Sequence, residues 1–139
     1  MRIRRATTQD AEVCARIVCD WIARTAWMPQ TFLRDDIARM IAEALPLREV
    51  YLIGEPVEGY LSLNPETGMI GALYVDRSGY GFGRALLERA KKRRDSLQLW
   101  THEPNLEAHR FYEREGFQRV ERNPKGDDGV AELRMEWHR

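Results

Sequence analysis

A glycine-rich segment stands where a phosphate group could be bound. It spells Gly79-Tyr80-Gly81-Phe82-Gly83 and lies between an apolar strand-like stretch and an amphipathic helix-like one. Glycines let backbone amides turn toward an anion, and a helix N-terminus adds about half a positive charge. The segment lacks the Gly-Lys-Ser/Thr of a P-loop and is too short for Gly-x-Gly-x-x-Gly. It is a candidate diphosphate cradle, and a tight strand-to-helix turn is the structural alternative.

A second stretch, at residues 105–117, spells N-x-x-A-x-x-F-Y-x-x-x-G-F. It follows two further segments in order, Leu73-Tyr74-Val75-Asp76 and Gly81-x-Gly83-Arg84-Ala85-Leu86-Leu87. With these segments the chain resembles the GNAT superfamily of N-acetyltransferases. The resemblance covers most of the chain and is strongest from residue 69 to residue 117.

The resemblance implies an acetyl-CoA site where the strands at 69–75 and 97–101 diverge. Pantetheine would bond to the backbone of residues 73–75, and the family's pyrophosphate motif, Q/R-x-x-G-x-G/A, falls on residues 78–83. The implied cofactor-binding residues are Leu73, Tyr74, Val75, Ser78, Gly79, Tyr80, Gly81, Phe82, Gly83, Arg84 and Asn105. The chain departs from the family because Ser78 replaces the usual Gln or Arg and the link from Val75 is shorter. Arg77 is the candidate replacement for the missing cation.

Two positions of the later stretch carry roles by resemblance. Asn105 matches the position that contacts the cofactor arm, and Tyr112 matches the position that protonates the departing thiolate. A tyrosine near the sulfur suits a general acid, since a thiolate is basic enough to take its proton. From the residues alone, Asn105 is also a good helix N-cap, and Tyr112 with Ala108 and Phe111 also makes a core face.

The general base is not singled out by the sequence. An attacking amine must lose a proton, and the 69–75 stretch has no carboxylate where many relatives keep one. The candidates are Glu103, His102, Asp35, Asp36 or an ordered water, although such residues are more often surface or capping groups. The basic run at 91–94 is expected first as the solvated end of a helix and second as a contact for the 3′-phosphate of CoA.

The acceptor site is expected, by resemblance, to be walled by Trp21, Trp27, Met28, Phe32 and Tyr60. Ring faces with Asp35 and Asp36 nearby suit a small cationic amine. Plain core packing is the alternative for each of these side chains.

The elements that position these residues follow from periodicity and turn signals. A capping pattern at Thr7-x-x-Asp10 predicts a helix start, and apolar spacing of three and four predicts helices through residue 25 and over 31–45. Further helices are expected over 84–94 and 105–115, the latter ending at Gly116. Strands are expected at 3–6, 50–53, 57–63, 69–75, 97–101, 117–121 and 130–137.

This order, β-α-α-β-β-β-α-β-α-β-β, predicts an α/β fold. The family's version is a mixed, mostly antiparallel sheet of about seven strands flanked by four helices. The stretch 69–101 forms a βαβ unit with parallel strands.

Composition limits the remaining possibilities. The 139 residues are 43% hydrophobic and suit one domain spanning 1–139. The formal charge is zero, with 22 basic and 22 acidic residues, so no broad attraction to nucleic acid is expected. We expect no membrane span, no secretory signal and a cytoplasmic protein. Cys14 and Cys19 are five apart on a helix, a poor disulfide geometry, and the three histidines lack a zinc spacing, so reduced thiols and no metal are expected.

The expected function is an acetyl-CoA-dependent N-acetyltransferase that transfers the acetyl group directly to a primary amine of a small molecule, peptide or protein. The alternative is a noncatalytic acyl-CoA-binding module in which Tyr112 is structural. A third hypothesis, a nucleotide-binding domain, gives the Tyr112 motif no role. The sequence does not decide the acceptor, or whether the chain forms a homodimer as relatives commonly do.

Overall fold

The structure is a computed structural model that describes residues 2–139. The strands are β1 (Ile3–Arg5), β2 (Glu49–Ile53), β3 (Gly59–Leu63), β4 (Met69–Val75), β5 (Ser96–His102), β6 (Gln118–Asn123) and β7 (Glu132–His138). The helices are α1 (Ala11–Ala23), α2 (Arg34–Ala44), α3 (Phe82–Lys91) and α4 (Leu106–Arg114). The strands make one sheet in the order β1-β2-β3-β4-β5-β7-β6, so the expected chain order and mixed sheet are confirmed.

The expected helix start after β1 is present in a tighter form. Thr8–Asp10 is a 3-10 turn, and α1 begins only at Ala11. The Thr7 amide donates to the Asp10 carboxylate at 2.8 Å, as a capping pattern requires. Arg4 also donates two hydrogen bonds of 2.9 Å to that carboxylate, which ties β1 to the start of α1.

Pairing in the sheet changes character at β4. The strands β1 to β4 pair antiparallel, and an irregularity beside Ser62 leaves Gly71 as an extra residue in β4. The pairing of β4 with β5 is parallel, as the βαβ unit predicts, but involves only Met69 with Gln98 and Ile70 with Leu99. From Gly71 onward the two strands separate, which leaves that edge of β4 without a β5 partner.

The last strand inserts into the sheet instead of lying at its edge. All seven residues of β5 pair antiparallel with β7, and β6 is left at the edge. Pairing on both sides makes β7 an interior strand, and its side chains Leu133, Met135 and Trp137 are buried.

Two apolar cores lie on the two faces of the sheet. One is built under α3 and α4 and includes Ile70, Leu86, Leu99 and Phe117. The other joins α1 and α2 to the opposite face and includes Cys14, Ile17, Leu52 and Tyr60. Alternate residues of each strand therefore face different helix pairs, as the period of two requires.

Several element boundaries differ from expectation by a few residues. The second helix starts at Arg34 instead of residue 31 and passes into a 3-10 turn, Leu45–Leu47, that contains Pro46. The third helix starts at Phe82 instead of residue 84, because the end of the glycine-rich segment forms its first turn. It ends at Lys91 instead of residue 94. The last two strands are displaced by one or two residues toward the C-terminus.

Both thiols are free, as expected from their spacing. Cys14 is fully buried on α1, and burial raises its pKa to about 12. None of the helices in the described residues is both long and apolar enough to cross a membrane.

Candidate active site

The opening between β4 and β5 is the feature around which the candidate residues gather. Leu73 and Val75 face α3 and contact the core on that side, whereas Tyr74 faces α1 and α2. Extended backbone that lacks a strand partner offers donors and acceptors to a ligand. The three expected pantetheine positions, Leu73, Tyr74 and Val75, lie on this unpaired edge.

The expected phosphate cradle joins this edge to the start of α3. Gly79 and Gly81 have φ of 85° and 78°, the left-handed region that favours glycine, and Gly81 is the N-cap of α3. The first bond of the helix ladder runs from the Ala85 amide to the Gly81 carbonyl at 3.0 Å, so the amides of residues 82–84 precede the ladder. No side chain caps this end, and the space beside Gly79 is open.

Residues around the cradle have structural contacts of their own. Gly83 packs against α4, since a Cβ there would lie 3.2 Å from the Phe111 ring. Ser78 and Tyr80 are exposed. Arg77, the candidate replacement cation, pairs with Glu58 at 2.6 Å and lies over the Tyr80 ring at 4.3 Å. Its guanidinium is therefore already shared between a carboxylate and an aromatic face.

Helix α4 fixes Asn105 and Tyr112. The Asn105 side chain accepts a hydrogen bond from the Ala108 amide at 3.1 Å, which confirms its N-cap position. At the other end, Gly116 has a φ of 95°, and the amides of Gly116 and Phe117 donate to the carbonyls of Glu113 and Tyr112. This double hydrogen bond is a Schellman motif, and it fixes the last turn, which carries Tyr112.

Tyr112 lies in the core on the α3 and α4 side and is 9% exposed. Its ring packs on Phe111 and Phe117, with centroids 5.2 and 5.6 Å away. Burial raises its pKa well above the usual range, and the neighbouring Tyr74 hydroxyl adds to the shift. The hydroxyl therefore keeps its proton at neutral pH.

The opposite face of the opening carries a cluster of aromatic rings. Trp21 of α1 lies 5.7 Å from Trp27 of the following loop and 5.2 Å from Tyr74. The His102 ring at the end of β5 stacks on Trp21 at 6.0 Å and lies 5.1 Å from Trp27. We call these four residues, Trp21, Trp27, Tyr74 and His102, the aromatic cluster.

The loop that carries Trp27 is held by hydrogen bonds. Gln30 donates to the carbonyls of Ile22 and Met28 at 2.7 and 3.1 Å, and the Thr25 hydroxyl donates to the Trp21 carbonyl at 2.5 Å. Arg24 donates to the Val75 carbonyl at 2.9 Å and so links the end of α1 to β4.

The other expected acceptor-wall residues lie elsewhere. Met28 and Tyr60 are buried in the core under α1 and α2, and Tyr60 reaches the cluster only through Tyr74, at 5.9 Å. Phe32 is 48% exposed. Met28 and Tyr60 therefore follow the core-packing alternative, whereas Phe32 lies largely at the surface.

His102 has a partner that the sequence did not single out. Its Nε2 atom lies 2.6 Å from the Oδ2 atom of Asp128, in the loop between β6 and β7. Asp128 belongs to a run of turn-forming residues, and only the fold shows that this loop returns to the end of β5. Despite burial, hydrogen bonds from His102 and the Val130 amide lower the pKa of Asp128.

The other candidate bases are differently placed. Glu103 forms a two-point pair with Arg122, at 2.5 and 3.0 Å, and this pair lowers its pKa. Asp35 and Asp36 lie in the first turn of α2, where Asp36 pairs with Arg39 at 3.1 Å.

The basic run is only partly a solvated helix end. Lys92 and Arg93 are exposed, whereas Lys91 donates to the Glu115 carbonyl at 2.8 Å and Arg94 pairs with Glu49 at 2.7 Å. This run lies at the end of α3 opposite the cradle.

One buried hydrogen-bond donor, the guanidinium of Arg48, was not predicted from the sequence. Among residues 2–139, Arg48 Nη1 is the single buried side-chain nitrogen or oxygen without a hydrogen-bond partner. It lies against Gly71, and a Cβ at that glycine would approach it to 2.9 Å. The guanidinium therefore fills the space that Gly71 leaves where β4 begins to separate from β5.

The comparisons with known proteins concern the same elements. Residues 46–119, more than half of the chain, match the family model described as Acetyltransferase (GNAT) domain. That segment runs from β2 through the cradle and α4 to the start of β6. Among curated proteins there is no significant match.

Solved structures share the fold over nearly the whole chain. YjaB from Escherichia coli, solved in the apo form, superposes with a TM-score of 0.80 at 24% identity, covering 98% of this chain and 96% of that one. YncA from Salmonella typhimurium, solved with its cofactor acetyl-CoA, gives 0.74 at 20% identity, with coverages of 99% and 93%. Ribosomal-protein-alanine N-acetyltransferase from Brucella melitensis gives 0.75 at 20% identity, and both chains are covered completely.

Proposed function

The chain belongs to the GNAT family of acetyltransferases, and from this premise we propose that residues 1–139 act as one acetyl-CoA-dependent N-acetyltransferase domain with a primary amine as acceptor. The observation that carries the proposal is the opening between β4 and β5. It has a glycine-rich turn with unpaired helix amides at one end, a protonated tyrosine on one face and a histidine within an aromatic cluster on the other.

The residues at the opening fit acetyl-CoA. The unpaired edge of β4 from Leu73 to Val75 would hold the pantetheine, and the amides of residues 79–84 would hold the pyrophosphate. Open space beside Gly79 suits a close approach of phosphate oxygens. The side-chain oxygen of Asn105 already accepts a hydrogen bond from the Ala108 amide, so its Nδ2 group would contact the cofactor arm.

Acetyl-CoA supplies a thioester whose acetyl group is transferred and whose sulfur leaves. Tyr112 gives its hydroxyl proton to that sulfur, and burial leaves the hydroxyl protonated at neutral pH, as a general acid must be. Its position is held by the Schellman motif and by the Phe117 ring. A cysteine intermediate is disfavoured, because Cys14 is buried with a raised pKa.

The acceptor enters on the face of α1 and α2. Trp21 and Trp27 present ring faces and edges there, and such surfaces suit the carbon chain and the ammonium group of an amine. Names among the similar structures include a spermidine N-acetyltransferase and a ribosomal-protein-alanine N-acetyltransferase. Both acceptor types, a polyamine and a peptide α-amine, therefore belong in a first screen.

The test is an acetylation assay with four probes, namely spermidine, phenethylamine, a peptide with a free N-terminal alanine and an N-blocked peptide with one lysine. Release of CoA thiol and the mass of the product are measured together. We expect thiol release coupled to a product heavier by one acetyl group for at least one probe. Binding of acetyl-CoA without acetylation of any probe would instead support the noncatalytic acyl-CoA-binding module.

A further inference from the structure

We propose that His102 is the general base of this site, acting through its Nδ1 atom, and that Asp128 is its positioning residue. The inference rests on the proposed function and assigns a step that the family assignment leaves open. It comes from the 2.6 Å contact between Asp128 and His102 and from the rings that enclose the histidine.

The Asp128 carboxylate is itself held in place. Its Oδ1 atom accepts a hydrogen bond from the Val130 amide at 3.0 Å, while Oδ2 faces His102. The side chains of His102 and Asp128 are 20% and 18% exposed, so water has limited access to the pair. A half-buried carboxylate with two fixed partners is a rigid acceptor.

This acceptor decides which nitrogen of His102 carries the proton. The lowered pKa of Asp128 keeps its carboxylate ionised, and an ionised carboxylate only accepts hydrogen bonds. The neutral His102 ring must therefore donate from Nε2, and the lone pair remains on Nδ1. A ring in this tautomer can take a proton from an amine, and the carboxylate then stabilises the imidazolium.

The backbone of His102 is fixed by the helix that carries Tyr112. The His102 carbonyl accepts hydrogen bonds from the Asn105 amide and from His109 Nε2, both at 3.0 Å. His109 is 3% exposed on α4, and Arg119 lies 3.4 Å from its other ring nitrogen. One helix thus positions the proposed acid and the proposed base on the two sides of the sheet.

The groups facing His102 are few. Asp128 comes from the β6–β7 loop, and the two tryptophans come from α1 and its loop. Tyr74 of β4 is linked to the ring through Trp21. Glu132 is the cross-strand neighbour of His102 on β7, and its carboxylate accepts a hydrogen bond from Asn123 at 3.3 Å. Burial raises the pKa of Tyr74 to about 12, with a further contribution from Asp128, so this hydroxyl stays protonated. His109 contacts the carbonyl of His102. Asp128 is thus the ionised group in direct contact with the ring.

The step starts from the neutral amine, which has a free lone pair on nitrogen. His102 Nδ1 accepts one proton from the amine, and the amine's lone pair forms the new bond to the acetyl carbon. The carbon–sulfur bond breaks, and the sulfur takes the Tyr112 proton and leaves as the CoA thiol. The proton on His102 and the one missing from Tyr112 are then exchanged with solvent, which restores both residues. The products are one amide and one thiol.

The first test measures the tautomer in the free full-length protein by long-range ¹H–¹⁵N correlation of the histidine rings. His102 is assigned from the signals lost in His102→Gln. We expect the neutral ring to be protonated at Nε2, and Asp128→Asn to lose this preference. A neutral ring protonated at Nδ1 would overturn the proposal without any acetylation assay.

The second test follows kcat/KM against pH, with any amine that the wild-type protein acetylates. We expect His102→Gln to lower kcat/KM by about 10² or more and to remove the fall at low pH. Asp128→Asn should also lower kcat/KM, because the ring loses the carboxylate that fixes its tautomer. Asp128→Glu should recover part of the rate. His138→Gln, which alters an exposed histidine beside Glu136, is the matched control and should change nothing.

The outcomes separate this inference from the proposed function. A wild-type protein that acetylates an amine, with a His102→Gln variant that binds acetyl-CoA and keeps its rate, contradicts only the base. A wild-type protein that binds acetyl-CoA but acetylates no probe contradicts the proposed function and the base with it. If His102→Gln fails to fold, the ring signals of His102 are assigned by correlation with its own backbone resonances, and the wild-type tautomer and Asp128→Asn still decide.

Discussion

At the scale of single residues, Tyr112 shows how one side chain can satisfy two interpretations. It packs in the core between Phe111 and Phe117, as the helical spacing predicts, and the family resemblance assigns its hydroxyl to proton transfer. The two roles are compatible, because a buried tyrosine hydroxyl is still protonated at neutral pH, as a general acid must be.

Tyr112→Phe should therefore separate the roles. It removes one oxygen and leaves the ring in place, so stability and acetyl-CoA binding should change little. We expect kcat to fall by about 10²-fold, the loss typical of one general acid. Steady-state kinetics and a thermal unfolding curve check this.

The control for that variant is Tyr51→Phe, which removes a buried hydroxyl that donates to Glu49 at 2.9 Å, away from the opening. It should keep full turnover. An unchanged kcat in Tyr112→Phe would show that Tyr112 is structural only.

Asp10 carries a pH-dependent contribution to stability. Its pKa is lowered below the ordinary 3.8, chiefly by the hydrogen bonds from Arg4, although burial opposes the shift. A lowered folded-state pKa means that the contribution is present above the ordinary value and is lost as the pH falls through the folded value. Asp10→Asn should cost about 0.5–1 kcal/mol at pH 7, the upper range for a partly exposed ion pair.

The measurement is denaturant unfolding of both proteins at pH 7 and near pH 3. The difference between wild type and Asp10→Asn should shrink at the lower pH. A difference that stays constant would mean that the Arg4–Asp10 pair does not act through ionisation.

The candidate residues of the site were only partly visible in the sequence. The motif letters located Tyr112, Asn105 and the cradle, because each has a local signature. Asp128 has none, since an aspartate before a glycine in a polar loop is typical of a turn. Its contact with His102 depends on the path of a hairpin, which no local spacing encodes.

At the scale of elements, the end of α4 depends on Gly116. Its φ of 95° closes the Schellman motif, and a Cβ there would lie 3.1 Å from the Trp137 ring. Gly116→Ala should reduce the free energy of unfolding by about 1–2 kcal/mol, the usual cost of a left-handed residue with a side chain.

Because the same turn holds Tyr112, Gly116→Ala should also lower kcat more than it alters acetyl-CoA binding. Glu113→Ala, an exposed change in the same turn, is the control and should stay within about 0.5 kcal/mol of wild type. Equal stability of Gly116→Ala and wild type would contradict this account of the helix end.

Element types were predictable, whereas some boundaries were not. Apolar spacing located α1, α2 and α3, because each buries one stripe, and α4 was predicted with Gly116 as its end signal. The start of α3 was predicted two residues too late, because glycine has a low helix propensity. In the structure Gly81 is the N-cap of α3 and Gly83 lies in its first turn. The opening between β4 and β5 is a matter of pairing, which strand propensity does not report.

At the scale of the whole molecule, stability depends on the C-terminal strand. Met135 is fully buried in β7 and lies between Leu99 of β5 and Arg119 of β6. Met135→Ala should cost about 2–5 kcal/mol through lost burial and a cavity. Val120→Ala, at a site that is 46% exposed, should cost under about 0.5 kcal/mol, and chemical denaturation measures both. Similar costs for the two variants would mean that β7 is not an interior strand.

The overall topology was predicted from the family resemblance more than from local sequence patterns. Alternation predicted a final hairpin, but it could not show that β7 inserts beside β5 and leaves β6 at the edge. This insertion places the β6–β7 loop over the end of β5, where Asp128 contacts His102. The site is therefore a product of the whole sheet.

The most direct test of the central claim, that this opening holds acetyl-CoA, is a thermal-shift titration of the full-length protein with acetyl-CoA, CoA, NAD and ATP. A ligand at about 100 times its Kd adds about 2.7 kcal/mol of stability. We predict a rise in Tm with acetyl-CoA and CoA and none with NAD or ATP. No shift with either acetyl-CoA or CoA would contradict the account.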